Sequence, residues 1–406
     1  LFTKDFISLK KKILVLSSTF PRWENDHEPA FVYELSRRFT ENFDVYVLAP
    51  HTANSKEFET YGKIKVHRFR YAPESFEKLA YNGGIANNLK IQPIKYLLVL
   101  PFLIAEFIAA NKLIRNHDID LVHAHWLIPQ GLVAVLLKKL TSRDIKTLVT
   151  AHGSDIFSFN GIITRQIKKF VLNNCENLTV VSHSMKTAVN KMNCTCHVDI
   201  LPMGTDLTKR FVPDEKNQKP KLIIFVGRLI PQKGVNYLLD AFSKVIDIHP
   251  DATLQVIGYG PELESLKAQS VGLGIQQSVR FTGGIPQNDI TPYLQSSSIA
   301  VFPYCRNKQN GEEGFGLVLV EALGCGCAVI ASRQASISEI IKDQQTGLLI
   351  DERNPQAISS AIVKLLENPE LKNTLAKNGR DEILKLFDWN IISQSYVSLI
   401  NRILSN

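Results

Sequence analysis

Glu312-Glu313-Gly314-Phe315-Gly316-Leu317-Val318-Leu319-Val320-Glu321 is the stretch that decides how this chain reads. It follows a short apolar run, Ile299–Tyr304, and a polar loop, and it continues through Ala322-Leu323-Gly324. Beyond Gly314-Phe315-Gly316 the residues are apolar on every side, the pattern of a helix buried between a sheet and other elements. Glu321 falls inside that run, where an unpaired carboxylate is costly. It therefore needs a partner, either a protein donor or the hydroxyls of a ligand. Glu313 stands just ahead of the helix, beside free backbone N–H groups and the positive end of the macrodipole, a ready anion site. At ~1.5 Å of rise per residue, Glu321 lies ~9 Å beyond Phe315. A ligand along the helix would set a polar head at Glu313, phosphates on the Gly-Phe-Gly amides and a ribose diol at Glu321, the outline of a nucleotide-sugar. The plainer alternative is a bare helix start, with Glu321 paired to a core Arg or Lys.

The neighbouring strand ends bear on that choice. Leu222–Val226 runs into Gly227-Arg228-Leu229-Ile230-Pro231-Gln232-Lys233-Gly234. Two cations bracketed by glycines at a strand's carboxyl end suit a diphosphate, Arg228 bonding bidentately and Lys233 acting as a point charge. An ordinary charged surface loop is the alternative. The next strand ends in Gly258-Tyr259-Gly260-Pro261-Glu262, which lacks the third glycine of a dinucleotide fingerprint and suggests only close backbone approach to a ligand.

Working outward, short apolar runs alternate with helical stretches along the whole chain, which predicts an α/β fold with mostly parallel sheets. A first series runs from Ile13–Ser18 to Val198–Leu201, and a second opens at Leu222. Residues 204–221 between them are polar with two prolines and read as a linker. The expectation is two doubly wound, Rossmann-like domains, 1–203 and 204–388, facing each other across a central cleft. The last helix, within 389–406, is free to join either.

Composition narrows the function. The chain has 406 residues, 45% hydrophobic and 21% charged, with a net charge of +8, and is globular with an ample core. Residues 1–203 hold 26 Lys and Arg against 18 Asp and Glu, whereas the remainder is balanced at 21 each. The excess points to an N-terminal surface that meets an anionic partner, a membrane or a phosphorylated substrate. No zinc spacing, RNA-binding signature or basic–aromatic stripe supports nucleic acid. The six cysteines, in part as two Cys-x-Cys pairs, lack common zinc spacing and read as free thiols of a reducing cytosol. Tyr96–Ala110 is the most apolar stretch. At about fifteen residues, with Glu106 inside, it falls short of the ~20 needed to span a bilayer, and no signal peptide is evident.

Taken in order, G-R-L-x-x-x-K-G, G-x-G-P-E and E-G-F-G-L-V-L-V-E-A-L-G-C-G closely resemble the retaining glycosyltransferases of family 4, which have the two-domain GT-B fold. The resemblance covers nearly the whole chain. It implies that Arg228 and Lys233 hold the donor diphosphate, that Glu313 lies by the transferred sugar and that Glu321 holds the ribose. Gly227, Gly258, Gly314, Phe315, Gly316 and Leu317 would complete the donor site. It further implies that His152, in Thr150-Ala151-His152-Gly153-Ser154-Asp155, approaches the donor sugar, although a strand-end histidine often only caps or packs. His123 and His125, in V-H-A-H-W, are less favoured for a direct role. The last helix of such enzymes commonly crosses back to the N-terminal domain.

There are departures. The loop after the first strand, Arg22 to Pro29, has no glycine, and its acidic side chains are expected to face an acceptor or solvent. Arg22 and Asp155 are assigned to the acceptor side. The Gly-Gly often found before the last small helix is Ala335-Ser336 here.

No N-terminal carboxylate stands out as a nucleophile for double displacement. In the family the departing diphosphate is thought to deprotonate the acceptor hydroxyl on one face of the sugar, so catalysis rests on leaving-group electrostatics. No metal is required, and Asp118-Ile119-Asp120 reads as a turn. Tyr96–Ala110, flanked by Lys90, Lys95, Lys112 and Arg115, is either an interfacial helix at anionic lipid or a buried helix covering the first sheet. The front loop T-F-P-R-W with F-V-Y-E-L-S-R-R-F looks like family members that build cell-surface polysaccharides and glycolipids. The expected function is transfer from a UDP-sugar or GDP-mannose to a lipid-linked saccharide or glycolipid, in the cytoplasm or at the inner membrane face. The alternatives are a soluble transferase acting on a small sugar or metabolite, and an inactive GT-B scaffold that binds a partner protein.

Overall fold

The computed structural model describes residues 10–405, apart from 24, 25, 27, 29, 82, 142, 158–160, 287, 288 and 307–313. The chain divides into two compact units, one of Leu1–Val180, Ala188–Leu201 and Ser393–Asn406, the other of Val181–Thr187 and Pro202–Ile392.

The first unit is built on eight strands: β1 (Lys12–Leu16), β2 (Asp44–Pro50), β3 (Phe58–Tyr61), β4 (Ile64–Phe69), β5 (Leu121–His125), β6 (Lys146–Ala151), β7 (Asn177–Val180) and β8 (His197–Ile200). Their order is β3-β4-β2-β1-β5-β6-β7-β8. All pair in parallel except β3, which the sequence pattern does not reveal and which runs antiparallel along β4. Helices α1 (Phe31–Phe39), α2 (Ile85–Ile91), α3 (Val99–His117), α4 (Leu132–Leu140), α5 (Ser154–Phe157), α6 (Ile162–Leu172) and α7 (His183–Asn190) connect them. The central strands are nearly continuous apolar runs, as sheets covered on both faces require.

The second unit has six parallel strands: β9 (Lys219–Val226), β10 (Thr253–Ile257), β11 (Val279–Gly283), β12 (Ser297–Phe302), β13 (Ala328–Ser332) and β14 (Leu348–Ile350). Their order, β11-β10-β9-β12-β13-β14, reverses direction between β9 and β12. Its helices are α8 (Val235–Ile248), α9 (Leu263–Gly272), α10 (Thr291–Ser296), α11 (Leu317–Gly324), α12 (Ala335–Ser338), α13 (Pro355–Glu367) and α14 (Pro369–Phe387). The period of two along β9 splits the core: Ile223 and Phe225 pack on one face of the sheet, Ile224 and Val226 on the other. Burying a Leu, Ile or Phe side chain fully contributes about 1.5–3 kcal/mol. The last helix, α15 (Trp389–Ser405), begins in this unit and ends in the first, where Tyr396 is fully buried.

The stretch read as a linker is not a free tether. Leu207 and Phe211 are buried in the core of the second unit. The Arg380 guanidinium donates to the carbonyls of Leu207 and Phe211, each at 3.1 Å, and to that of Gly324. Polar composition and prolines signal a loop, but not that Leu207 and Phe211 close the core.

Candidate functional site

In the second unit the loops that leave β9, β10 and β12 meet at the carboxyl edge of the sheet, at the reversal of strand order where open α/β sheets bind ligands. Gly227 N donates to Ile257 O at 2.9 Å and Leu229 N to Tyr259 O at 2.8 Å, which lays the first two loops side by side. Gly258, with φ +152°, is needed for that contact: a Cβ there would sit 1.8 Å from Gly227 O. The close approach inferred for Gly258 is thus made to the neighbouring loop. Gly234, at φ +66°, similarly passes the backbone of Pro303, and Cys305 N donates to Gln232 O at 2.9 Å.

Lys233 and Arg228 sit on this framework. The Lys233 ammonium lies 4.2 Å from the centroid of the Tyr304 ring, a cation–π contact that fixes the head of a flexible side chain. Arg228 is exposed and has no ion pair among the described residues. α11 opens after Gly316, which adopts φ +88° and leaves the first helical N–H groups at the same edge. Glu321 is buried in α11, about 6 Å along the axis from Leu317 at ~1.5 Å per residue. Gly314 and Phe315 lead into the helix, and Phe315 packs edge-on against Phe387 at 5.2 Å. Glu313 lies outside the described residues.

In the first unit, His152 follows β6 and is half-buried in an aromatic setting, 4.9 Å from the ring centroids of both Phe31 and Trp126. Its Nε2 is 2.9 Å from His125 Nδ1. Burial pushes the His152 imidazole down to about 3, so it is neutral at physiological pH. Trp126 holds φ +73°, unusual for a residue with a side chain, and is fixed by its N–H to Thr150 O at 2.8 Å. Asp155, placed on the acceptor side by the sequence, has a framework role here. Its Oδ1 accepts from the amides of His152 and Gly153, its Oδ2 from that of Leu127, at 2.9–3.1 Å.

Arg22 is likewise engaged within the chain. Its guanidinium forms a bidentate pair with Asp26 at 2.7 and 2.8 Å and stacks on Trp23 and Tyr81. The expectation that the acidic side chains of this loop face solvent or acceptor fails for Asp26 and Glu28, whose side chains are buried: Asp26 answers the Arg22 charge, and Glu28 feels it.

The basic apolar segment forms one continuous helix, 93–117, whose 25 residues are long and apolar enough to cross a membrane by length and composition. Length therefore does not exclude a span, contrary to the fifteen-residue estimate. The helix instead lies on the first sheet through Phe102, Glu106, Ala110, Leu113 and Ile114. The exposed side of α2 and of the 93–117 helix presents Ile91, Ile94, Leu97, Leu100, Ile104 and Ile108, each 51–72% exposed. Among the described residues no group of three or more His, Cys, Asp or Glu is arranged to hold a metal. Asp118 and Asp120 are ion-paired with Arg143 and Lys11. All six cysteines are free thiols.

Residues 30–209 match the family model described as Glycosyltransferase Family 4, and residues 208–382 that of glycosyl transferases group 1. An uncharacterised glycosyltransferase of Methanocaldococcus jannaschii is 30% identical over 327 residues, which cover 80% of this chain and 86% of that protein. The chain belongs to the family 4 glycosyltransferases. This glycosyltransferase is also 28% identical to the GDP-mannose-dependent alpha-(1-6)-phosphatidylinositol monomannoside mannosyltransferase of Mycolicibacterium smegmatis, over 69% of this chain and 75% of that one. Among solved structures, sucrose-phosphate synthase from Thermosynechococcus elongatus superposes with a TM-score of 0.79 at 20% identity, covering 98% of this chain and 100% of that one. That likeness concerns the fold, and with the family it makes this glycosyltransferase a GT-B enzyme of two Rossmann-like units.

The sequence gives His125 little weight, yet it is the side chain bonded to His152 in this glycosyltransferase. One signal was available: in V-H-A-H-W the period of two puts His123 and His125 on one face of β5.

Proposed function

We propose that this glycosyltransferase moves a sugar from a UDP-sugar or GDP-mannose to a hydroxyl of a lipid-linked saccharide or glycolipid, with retention and without a metal or other cofactor. The observation that carries the reading is the convergence of Arg228, Lys233 and the amino end of α11 at the β9/β12 edge. As the bond from the anomeric carbon to the diphosphate lengthens, negative charge grows on the diphosphate oxygens. Arg228 answers it with a bidentate fork, Lys233 with a point charge and α11 with backbone amides. The acceptor hydroxyl attacks from the face the diphosphate leaves, and a diphosphate oxygen takes its proton. Glu321 holds the ribose diol, Glu313 lies by the sugar, and neutral His152 bonds a sugar hydroxyl.

The apolar stripe of α2 and α3 supports the lipid acceptor. Lys90, Lys95, Lys112 and Arg115 lie along the same helices, a composition suited to the headgroup boundary of an anionic leaflet. The enzyme would then work in the cytoplasm at the inner membrane face.

A panel of UDP- and GDP-sugars, read by thermal shift and by release of UDP or GDP, tests the donor side. One nucleotide at a hundred times its Kd stabilises by about 2.7 kcal/mol. That gain should vanish in Lys233→Ala and Glu321→Ala. No shift with any donor would overturn the catalytic reading. With the donor known, an inverted anomeric configuration in the product would overturn retention, and loss of turnover in EDTA would overturn metal independence.

A further inference from the structure

The contact between His125 and His152 joins two imidazoles, and only one of them donates. His125 Nδ1 and His152 Nε2 are 2.9 Å apart with the ring planes 11° from parallel, and a hydrogen bond between the two nitrogens uses a single N–H. The other nitrogen of His125, Nε2, is buried without a hydrogen-bond partner among the described residues. Were His152 the donor, neutral His125 would have to carry its own proton on Nε2, a buried N–H with nothing to bond. Were His125 the donor, Nε2 would be a bare lone pair. A buried orphan N–H is the rarer and costlier of the two. The same rule orders the next ring: His123 Nε2 lies 2.8 Å from Thr150 Oγ1 while its Nδ1 has no partner, so His123 donates to Thr150. Thr150 Oγ1 is in turn 2.6 Å from Thr179 Oγ1.

We infer that His125 is a positioning residue: its Nδ1–H donates to His152 Nε2 and locks His152 as the Nδ1–H tautomer, so that His152 offers a donor, not a lone pair, to the sugar. The consequence for the sugar rests on the reading of His152 given under Proposed function, whereas the tautomer itself does not. His125 is well placed for this. It is fully buried on β5, packed against the His123 ring with centroids 4.4 Å apart and planes tilted by 36°, and kept neutral because burial holds its imidazole well below the usual range. A neutral imidazole has one proton, and the bond at one nitrogen settles which nitrogen keeps it. A lone pair at Nδ1 would accept from a sugar hydroxyl, whereas Nδ1–H donates to a hydroxyl oxygen and fixes how the sugar is held while charge moves to the diphosphate.

The test is a two-bond 1H–15N correlation on the full chain labelled with 15N-histidine, His152 being assigned by its loss in His152→Gln. The expected result at neutral pH is a protonated Nδ1 and a bare Nε2 on His152. A proton on Nε2 overturns the assignment, whatever any variant does. His125→Leu should move His152 toward the Nε2–H form and lower kcat for donor hydrolysis by roughly tenfold or more with little change in KM. His125→Gln, whose amide can donate to Nε2, should restore the Nδ1–H signature and much of the rate. If His125→Leu lowers the melting temperature yet leaves the His152 signature unchanged, the role is packing alone and the inference falls. Full donor hydrolysis by His152→Ala would instead remove the reading of His152 at the sugar and leave the tautomer result standing.

Discussion

Glu106 shows how one buried group can set the pH response of a domain. It faces the sheet from α3, fully buried; its Oε1 accepts from Gln130 Nε2 at 3.2 Å and its Oε2 has no partner among the described residues. Burial pushes its carboxyl up to about 8, so the folded protein holds it protonated where the unfolded chain releases the proton. Because the folded value lies above the unfolded one, the stability this carboxyl contributes is full below its ordinary value of 4.5, falls as pH rises toward 8, and is flat beyond. Each pH unit between the two values is worth about 1.4 kcal/mol, so the loss reaches a few kcal/mol. In urea melts between pH 7 and 8.5, above the range where the buried histidines take up protons on unfolding, stability should fall with pH in the wild type and much less in Glu106→Gln. Equal slopes in both would mean that the carboxyl is ionised in the fold. Other single residues drew attention in the sequence for chemical reasons: Arg228 and Lys233 are cations at a strand's carboxyl end, and Glu321 is a carboxylate inside an apolar run. The partners of Gly258 and His152 were not legible. Gly258 answers a loop that only the sheet order brings alongside, and His125 is 27 residues from His152.

At the scale of elements, α3 carries two faces that one sequence run merges. The apolar run Tyr96–Ala110 reads as uniform, and only the packing of Phe102 on Phe69 and Tyr71 shows which side meets the sheet. The exposed side follows the helical period, Ile94, Leu97, Leu100, Ile104, Ile108, and α2 extends it with Ile91. α2 is hard to see in the sequence because I-A-N-N-L-K-I has two asparagines of low helix propensity and no side-chain cap. The membrane docking proposed above predicts co-sedimentation with vesicles containing anionic lipid, weakened by salt as screening grows. Leu97→Glu with Ile104→Glu should abolish it at unchanged melting temperature, since both side chains are exposed. Lys95→Ala should weaken it by about 1 kcal/mol, roughly fivefold. Equal binding by wild type and the double variant would leave the stripe without a membrane role, and the lipid acceptor without its support.

For the whole molecule, the alternation of strands and helices was enough to foresee two α/β units, because each βαβ repeat writes its own period into the sequence. Where one unit ends was harder to read, since contacts made across long separations decide it. Residues 204–211 illustrate this. Their composition is that of a connector, yet Leu207 and Phe211 are core residues, and Arg380, more than 160 residues further on, ties their carbonyls to the end of α11. The Gly324 carbonyl it also reaches is one of the orphan acceptors of that helix's last turn. Removing the guanidinium leaves three buried carbonyls short of a donor, and a hydrogen bond to a charged group is worth about 1.5–3 kcal/mol. Some acceptors will recruit water, so Arg380→Ala should cost the second unit about 3 kcal/mol, or roughly 6–12 °C in its melting transition. Calorimetry should show the second unit's transition shifted and the first unit's unmoved, with Lys377→Ala, an exposed neighbour on α14, as the silent control. The same variant should weaken nucleotide binding only modestly, because Arg380 bonds the carboxyl end of α11 while the diphosphate is assigned to its amino end. A shift below about 1 kcal/mol would mean that the apolar side chains alone hold the connector in place.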